Sequence, residues 1–565
     1  MEKSAIRQSS PKGWEEVLAF YFYLLTLILP NIVLCLTENI VPPGKAALIL
    51  VPLALYWLLM SLSRLVHRTY LLLLPLLFLG AFNIVLSYLF GKGVIAVDMW
   101  LNLATTSGAE AGEMLSQIYP SVVAVVVIYV PALSYAAWRV SRGYRPLARR
   151  FLVRQRIVAA LLGVAGLGVL GGALSQPRYS FLNDMFPVNV CYNLTLAVQR
   201  QVASTRYPQT SANFRYEAVS ADTLPDEVIV MVVGETSRAA NWQLCGYSRP
   251  TNPELSRIDG VVSYSDCLSQ SNTTHKSVPI LLTPATAEDY DVLYRSKGVC
   301  RAFAEAGFHT VFLSNEPRNH SFNDHLGEEA ADALFLRDTY EGDPMDTLLL
   351  PLIRQKLQGS RGRTLLVVHT YGSHSTYSDR YTRRQAYFQP DKVVKATRDN
   401  RHILINAYDN TIRLTDRFLA SVIRDLQASG RPAALLYTSD HGEDIYDDRR
   451  NLYLHASPTP SYYQLHVPLV AWTSPSYAAA YPQRVAQLRA HRSKAVQTDC
   501  IFPTLLTLGG IATPYGQPSL SLASPAFKEK PLRHYLTDHN RAVPLSECFE
   551  ELDFQAMRTH GLKEK

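Results

Sequence analysis

The sequence predicts an N-terminal five-helix transmembrane domain in residues 1–175, a surface linker over 176–224, and a C-terminal exported α/β domain over 225–565. Three observations lead there. Long apolar runs crowd the first third of the chain, arginine and lysine occupy alternate loops between them, and short β-rich runs alternate with helix-like stretches beyond residue 224. A chain of 565 residues also exceeds one ordinary globular core, so at least two units are expected.

The apolar runs lie at about Val17 to Leu36, Ala46 to Leu62, Tyr70 to Leu89, Tyr119 to Ala137 and Ile157 to Leu174, and none contains a charged residue. Each approaches the ~20 residues that a helix needs to cross a bilayer core. Lys3, Arg7 and Lys12 precede the first run, Arg64 and Arg68 follow the second, and seven arginines from Arg139 to Arg156 separate the fourth from the fifth. These loops are expected on the cytoplasmic side, which puts everything after about residue 176 across the membrane, in the periplasm of a bacterium. Topology therefore accounts for the net charge of +7, and no nucleic-acid partner is implied. The first run lacks a small-x-small cleavage site and reads as a span rather than a signal peptide.

The segment from Ser175 to Leu224 shows only a short amphipathic stretch near Asn193 to Ala203, as suits a connector on the membrane surface. After it, EVIVMVV, HTVFLS, TLLVVHT, AALLYTS and VPLVAW read as strands, with helices expected over Val299 to Ala306 and Ala407 to Gln427. Such alternation predicts a largely parallel sheet, with functional residues just beyond the carboxyl ends of strands. Glu235 in GETSR, Asp440 and His441 in SDHGE, and His369 and His374 in HTYGSH all fall there. Five of the seven cysteines lie in the C-terminal domain and Cys191 just after the last span, but no CxxC spacing occurs, which argues against cysteine-bound zinc.

Glu235, Asp440 and His441 offer two carboxylates and an imidazole, a set suited to zinc, or to manganese in a more oxygen-rich site. SNTTHKSVP, residues 271–279, supplies Thr273 and Thr274 as hydroxyl nucleophiles. A divalent cation lowers the pKa of such a hydroxyl, and a helix starting here would present N–H groups to a phosphate.

GETSR, GYSRPTNP, SNTTHKSVP, HTYGSH, SDHGE and YLHASP occur in the order found in the bacterial phosphoethanolamine transferases that modify lipid A, and the chain resembles that family over nearly its whole length. The family belongs to the alkaline phosphatase and sulfatase superfamily, so the resemblance implies an alkaline phosphatase/sulfatase-like exported domain. It implies Thr274 as nucleophile, Glu235, Thr274, Asp440 and His441 as zinc ligands, and His374 and His455 as contacts to phosphate or to a second zinc. One or two Zn2+ ions are expected, with Mn2+ less favoured. His466 reads as structural.

The implied reaction has two steps: Thr274 attacks phosphatidylethanolamine, expels diacylglycerol, and passes phosphoethanolamine to lipid A or another lipopolysaccharide acceptor. Positioning and charge neutralisation supply most of such catalysis, and a histidine donating a proton to the leaving alcohol is typically worth ~10²–10⁴-fold. Asn102, Thr106 and Glu110 share one helical stripe, and the family's lipid-contacting loop makes them candidates for the ethanolamine headgroup. Gln270 and Ile280 stand where many relatives carry a disulfide, and Asn319 or His320 takes the place of the family's phosphate-contacting lysine.

Two other readings are a phosphoglycerol transferase of the lipoteichoic acid synthase type and a non-catalytic sulfatase-like interaction module. GYSRPTNP and the Asn102 stripe argue against the first, and the complete ligand set against the second. A sulfatase in the strict sense would need a Cys/Ser-x-Pro-x-Arg sequence at the nucleophile, which is missing. We expect a monomer embedded in the inner membrane, and polymyxin resistance if lipid A is the acceptor, since added ethanolamine lowers the negative charge of the surface.

Overall fold

The computed structural model describes residues 14–564 apart from 91–94, 106–107, 177, 223, 341, 343–344, 360, 394 and 458, and without the side chains of 86–90, 102–105, 108–118 and 120. The chain divides into two compact units, Met1–Trp100 with Met114–Leu196, and Leu101–Glu113 with Ala197–Lys565.

Among the described residues the first unit contains four helices long and apolar enough to cross a membrane, α1 (Trp14–Thr37), α2 (Pro42–Leu62), a stretch within Gly108–Arg142, and Arg149–Leu174. The expected third span is a pair of helices, Val66–Leu72 and Leu74–Phe90, bent by 59°. Pro75 explains the break: it has no N–H to give to Leu71, and its ring excludes the carbonyl one turn back. The Leu73 N–H bonds the Tyr70 carbonyl in a tighter turn instead. Phe20, Tyr23, Tyr56, Met60 and Tyr70 are buried between helices, whereas Leu18, Leu25, Leu161, Val164 and Leu167 are exposed, as the apolar solvent of a bilayer permits. Gly166 lets Arg149–Leu174 approach α2 closely, because a Cβ there would lie 3.2 Å from the Val51 nitrogen.

The second unit is built on a seven-stranded sheet. Its strands are β1 (Val228–Gly234), β2 (Val262–Tyr264), β3 (His309–Ser314), β4 (Asp332–Phe335), β5 (Thr364–His369), β6 (Ala433–Ser439) and β7 (Leu469–Thr473). They lie in the order β2-β7-β6-β1-β5-β3-β4, and β7 alone runs antiparallel to its neighbours. Side chains alternate between two buried faces, which is why these strands read as unbroken apolar runs. Ile229, Met231 and Val233 pack on one face with Leu365 and Leu436. Val228, Val230 and Val232 pack on the other with Tyr408, Ile412 and Leu419 of the helix Arg401–Ala428.

The linker differs from expectation. In place of a short amphipathic stretch, a 23-residue helix spans Val188–Thr210. Its polar composition hides the helical period, and tertiary anchors supply what the pattern lacks. In the first unit Asn193 Nδ2 donates to the Ile95 carbonyl at 2.8 Å. In the second, Tyr207 is 1% exposed and donates to Glu329 Oε1 at 2.6 Å. The chain then pairs Val219–Ser220 with Ile511–Ala512. All seven cysteines are free thiols. At Gln270 an amide replaces the cross-link, accepting from the Ala287 N–H at 2.8 Å and donating to Asp499 Oδ2 at 3.2 Å.

Candidate active site

The carboxyl ends of β1 and β6 are adjacent in the sheet, so the residues that follow them meet. The Asp440 N–H bonds the Gly234 carbonyl at 3.0 Å, joining the two turns. Asp440 Oδ1 accepts from the N–H groups of Thr236 at 3.2 Å and His441 at 2.7 Å. Its buried Oδ2 has no hydrogen-bond partner and lies 3.3 Å from His441 Nε2. Thr236 adopts the left-handed region at φ 59° and donates its hydroxyl to Glu235 Oε1 at 2.5 Å, fixing that carboxylate. Tyr408 clasps the same turn, accepting from the Arg238 N–H and donating to the Thr236 carbonyl.

The helix Thr274–Leu282 delivers the hydroxyl. Thr273 is its N-cap in an extended conformation, is 3% exposed, and meets Ser271 Oγ at 3.3 Å, away from the carboxylates. Thr274, half-buried, lies 3.1 Å from both Glu235 Oε2 and His441 Nε2. The two threonines are alike in residue type; the helix start separates them, and Thr274, which the family motif implied, is the one beside Glu235 and His441.

His441 is fully buried, and its Nδ1 is 3.0 Å from the Gly442 carbonyl, an acceptor only, so Nδ1 carries the proton. The lone pair of Nε2 thus faces Glu235, Asp440 and Thr274. Burial, and then the neighbouring Asp440 charge, push Glu235 well above the usual carboxylate range; burial also raises Asp440. Two buried carboxylates, one with an orphaned oxygen, beside a neutral imidazole and a hydroxyl are a donor set that fits a divalent cation. Glu235, His441 and His455 also bring ligand atoms within 4.8 Å of one another.

His455 packs against His441 with ring centroids 4.2 Å apart, and its Nδ1 faces Glu443 Oε2 at 3.5 Å. Burial works against a charged ring there, but Glu443 outweighs it and raises the His455 pKa. His374 is the converse case. Burial, then Arg380 and the two other histidines, hold it well below the ordinary value, and its Nδ1 has no hydrogen-bond partner.

A sulfatase family model matches residues 227–511. The chain belongs to the sulfatase family. Within it, the chain is 31% identical over 303 residues to phosphoethanolamine transferase EptA of Escherichia coli K12, covering 51% of this chain and 54% of that protein. The chain therefore spans about half the length of this relative. Phosphatidylethanolamine transferase Mcr-1 of Escherichia coli is 26% identical over 464 residues, with 77% of this chain and 82% of the relative covered. Two solved structures share the fold. One is the integral membrane lipooligosaccharide phosphoethanolamine transferase A of Neisseria meningitidis, 24% identical, with a TM-score of 0.69 over 90% of this chain and 98% of its own. The other is the periplasmic domain of Escherichia coli EptC in complex with Zn, 22% identical, with a TM-score of 0.53 over 58% and 95%.

Not every sequence candidate of this sulfatase-family chain meets at the centre. Asn319 lies in the loop after β3 and accepts from the Ser321 N–H, while Asp324 holds the backbone N–H groups of Asn319 and His320. Thr106 and the side chains of Asn102 and Glu110 lie outside the described residues. GYSRPTNP is a brace: Tyr247 and Arg249 both donate to Asp409 of the long helix, at 3.0 Å and 2.6 Å. Arg238 of GETSR is buried on Asp447, Asn241 and the Glu443 carbonyl. His466 uses both ring nitrogens, on Tyr462 and the Ser265 carbonyl. Sequence reading passed over Glu443, the partner of His455; its place next to Gly442 in SDHGE was the available signal.

Proposed function

We propose that this chain is a metal-dependent transferase of the bacterial inner membrane that moves phosphoethanolamine from phosphatidylethanolamine to lipid A or another lipopolysaccharide acceptor, with its catalytic domain in the periplasm. The observation that carries the proposal is the Thr274 hydroxyl, 3.1 Å from both a buried carboxylate and an imidazole lone pair at the start of a helix. The names of EptA and Mcr-1 supply the group transferred.

Glu235, Thr274, Asp440 and His441 would hold the cation, zinc by the donor set. The cation would lower the pKa of the threonine hydroxyl and neutralise phosphate charge. Thr274 Oγ1, having given up its proton to solvent, forms a bond to phosphorus as the bond from phosphorus to the diacylglycerol oxygen breaks. His455, propped by Glu443, gives the departing oxygen its proton, and neutral His374 hydrogen-bonds a phosphate oxygen. The acceptor oxygen then attacks the phosphoethanolamine-threonine, loses its proton to His455, and frees Thr274. Asn319 or His320 contacts the phosphate, and the stripe of Asn102, Thr106 and Glu110 receives the ethanolamine. The segment 176–224 lies along the membrane surface, and the enzyme acts as a monomer.

Mass spectrometry of lipid A and core glycolipids from cells expressing the intact chain or Thr274→Ala tests this. A phosphoethanolamine increment absent from the variant is the expected result. A glycerophosphate increment would replace the donor assignment, and no increment on any glycolipid would overturn the acceptor class.

A further inference from the structure

A second cluster of donors shares Glu235 with the first, and its other two members, Glu316 and His369, take no part in the transfer steps above. Strands β1, β5 and β3 are consecutive in the sheet, and Glu235, His369 and Glu316 stand at or just past their carboxyl ends. The ends are locked together. The Thr370 N–H bonds the Val233 carbonyl at 3.0 Å, the Asn315 N–H bonds the His369 carbonyl at 2.9 Å, and the Glu316 N–H bonds Ser314 Oγ at 3.1 Å. One ligand atom from each of Glu235, Glu316 and His369 lies within 4.8 Å of the others. His369 is 2% exposed, and its Nε2 has no hydrogen-bond partner. A ring nitrogen left buried and unmatched is destabilising, so the site calls for an occupant.

We propose that Glu235, Glu316 and His369 form a second divalent-cation site, separate from the Thr274 cluster, with Glu235 as the carboxylate shared between the two. Two carboxylates and one imidazole suit zinc or manganese rather than magnesium or calcium, which favour all-oxygen shells. Tetrahedral bonds of about 2.0–2.2 Å set donors roughly 3.3–3.6 Å apart, so donors at the 4.8 Å limit would draw in by about 1 Å on binding. A cation here would hold Glu235 ionised and oriented toward Thr274, so that filling one site organises the other. None of this depends on which group the enzyme transfers.

Crystals of the full chain in detergent, soaked in Mn2+ or in Zn2+, give a direct test. An anomalous peak bonded to His369 Nε2, besides any peak at Asp440 and His441, is expected; ordinary water density alone at His369 would overturn the site. Metal content after dialysis provides the second readout. Glu316→Gln and His369→Gln should each bind one equivalent less than the wild type while keeping its circular dichroism spectrum, whereas His441→Ala loses a different equivalent. Unchanged stoichiometry in folded Glu316→Gln and His369→Gln would sink the proposal. Failure to transfer phosphoethanolamine would leave both readouts standing.

Discussion

Asp440 shows how one side chain is divided between fold and chemistry: Oδ1 is consumed by two backbone N–H groups, and that anchoring aims the orphaned Oδ2 at His441. Thr274 is loosely held by comparison, since its neighbours are all candidate ligands. Thr274→Ser should keep measurable transfer because the hydroxyl survives, whereas Thr274→Ala should lose at least ~10³-fold in kcat/KM, assayed with purified enzyme and phosphatidylethanolamine. Asp447 is structural. Burial alone would raise its carboxyl, but Arg238 and Arg401 hold it below the usual range. A depressed folded pKa contributes stability that is complete above the unfolded value near 3.9 and is lost as pH falls through the folded one. Asp447→Asn should cost about 3–5 kcal/mol near pH 7 by stranding Arg238, with a smaller difference in chemical denaturation toward pH 3.

At the scale of elements, the site depends on how closely the turns after neighbouring strands approach. Gly372, the fourth residue of HTYGSH, sits at φ 51°, and a Cβ there would meet the Glu235 carbonyl oxygen at 2.4 Å. Gly372→Ala should therefore displace Glu235, weakening zinc binding at least tenfold by isothermal titration while the circular dichroism spectrum is kept; unchanged affinity would show that the turn has slack. HTYGSH was legible as a strand end, but this use of its glycine was not, because Glu235 lies in a segment more than a hundred residues earlier. The helix Val188–Thr210 was missed for a related reason: its stabilising partners, Ile95 and Glu329, are remote in the chain.

For the whole molecule, a cation that binds only the folded state adds stability by mass action, about 2.7 kcal/mol at a hundredfold excess over Kd. Chelator-treated enzyme should gain several degrees in melting temperature when zinc is restored, and Asp440→Asn should reduce the response in the same scan. Cells expressing the intact chain should grow at several-fold higher polymyxin concentrations than cells expressing Thr274→Ala; equal inhibitory concentrations despite modified lipid A would refute the link to surface charge. The sequence by itself determined the membrane-spanning segments, the α/β alternation and the positions of Glu235, Asp440 and His441 at strand ends, because apolar length and hydrophobic period are local properties. Tertiary structure decided the rest: the bend at Leu73, the placing of the Thr274 hydroxyl beside Glu235 and His441, the pairing of His455 with Glu443, and the convergence of Glu316 and His369 on Glu235. Those are distances between segments far apart in the chain, and the order of strands in the sheet sets them.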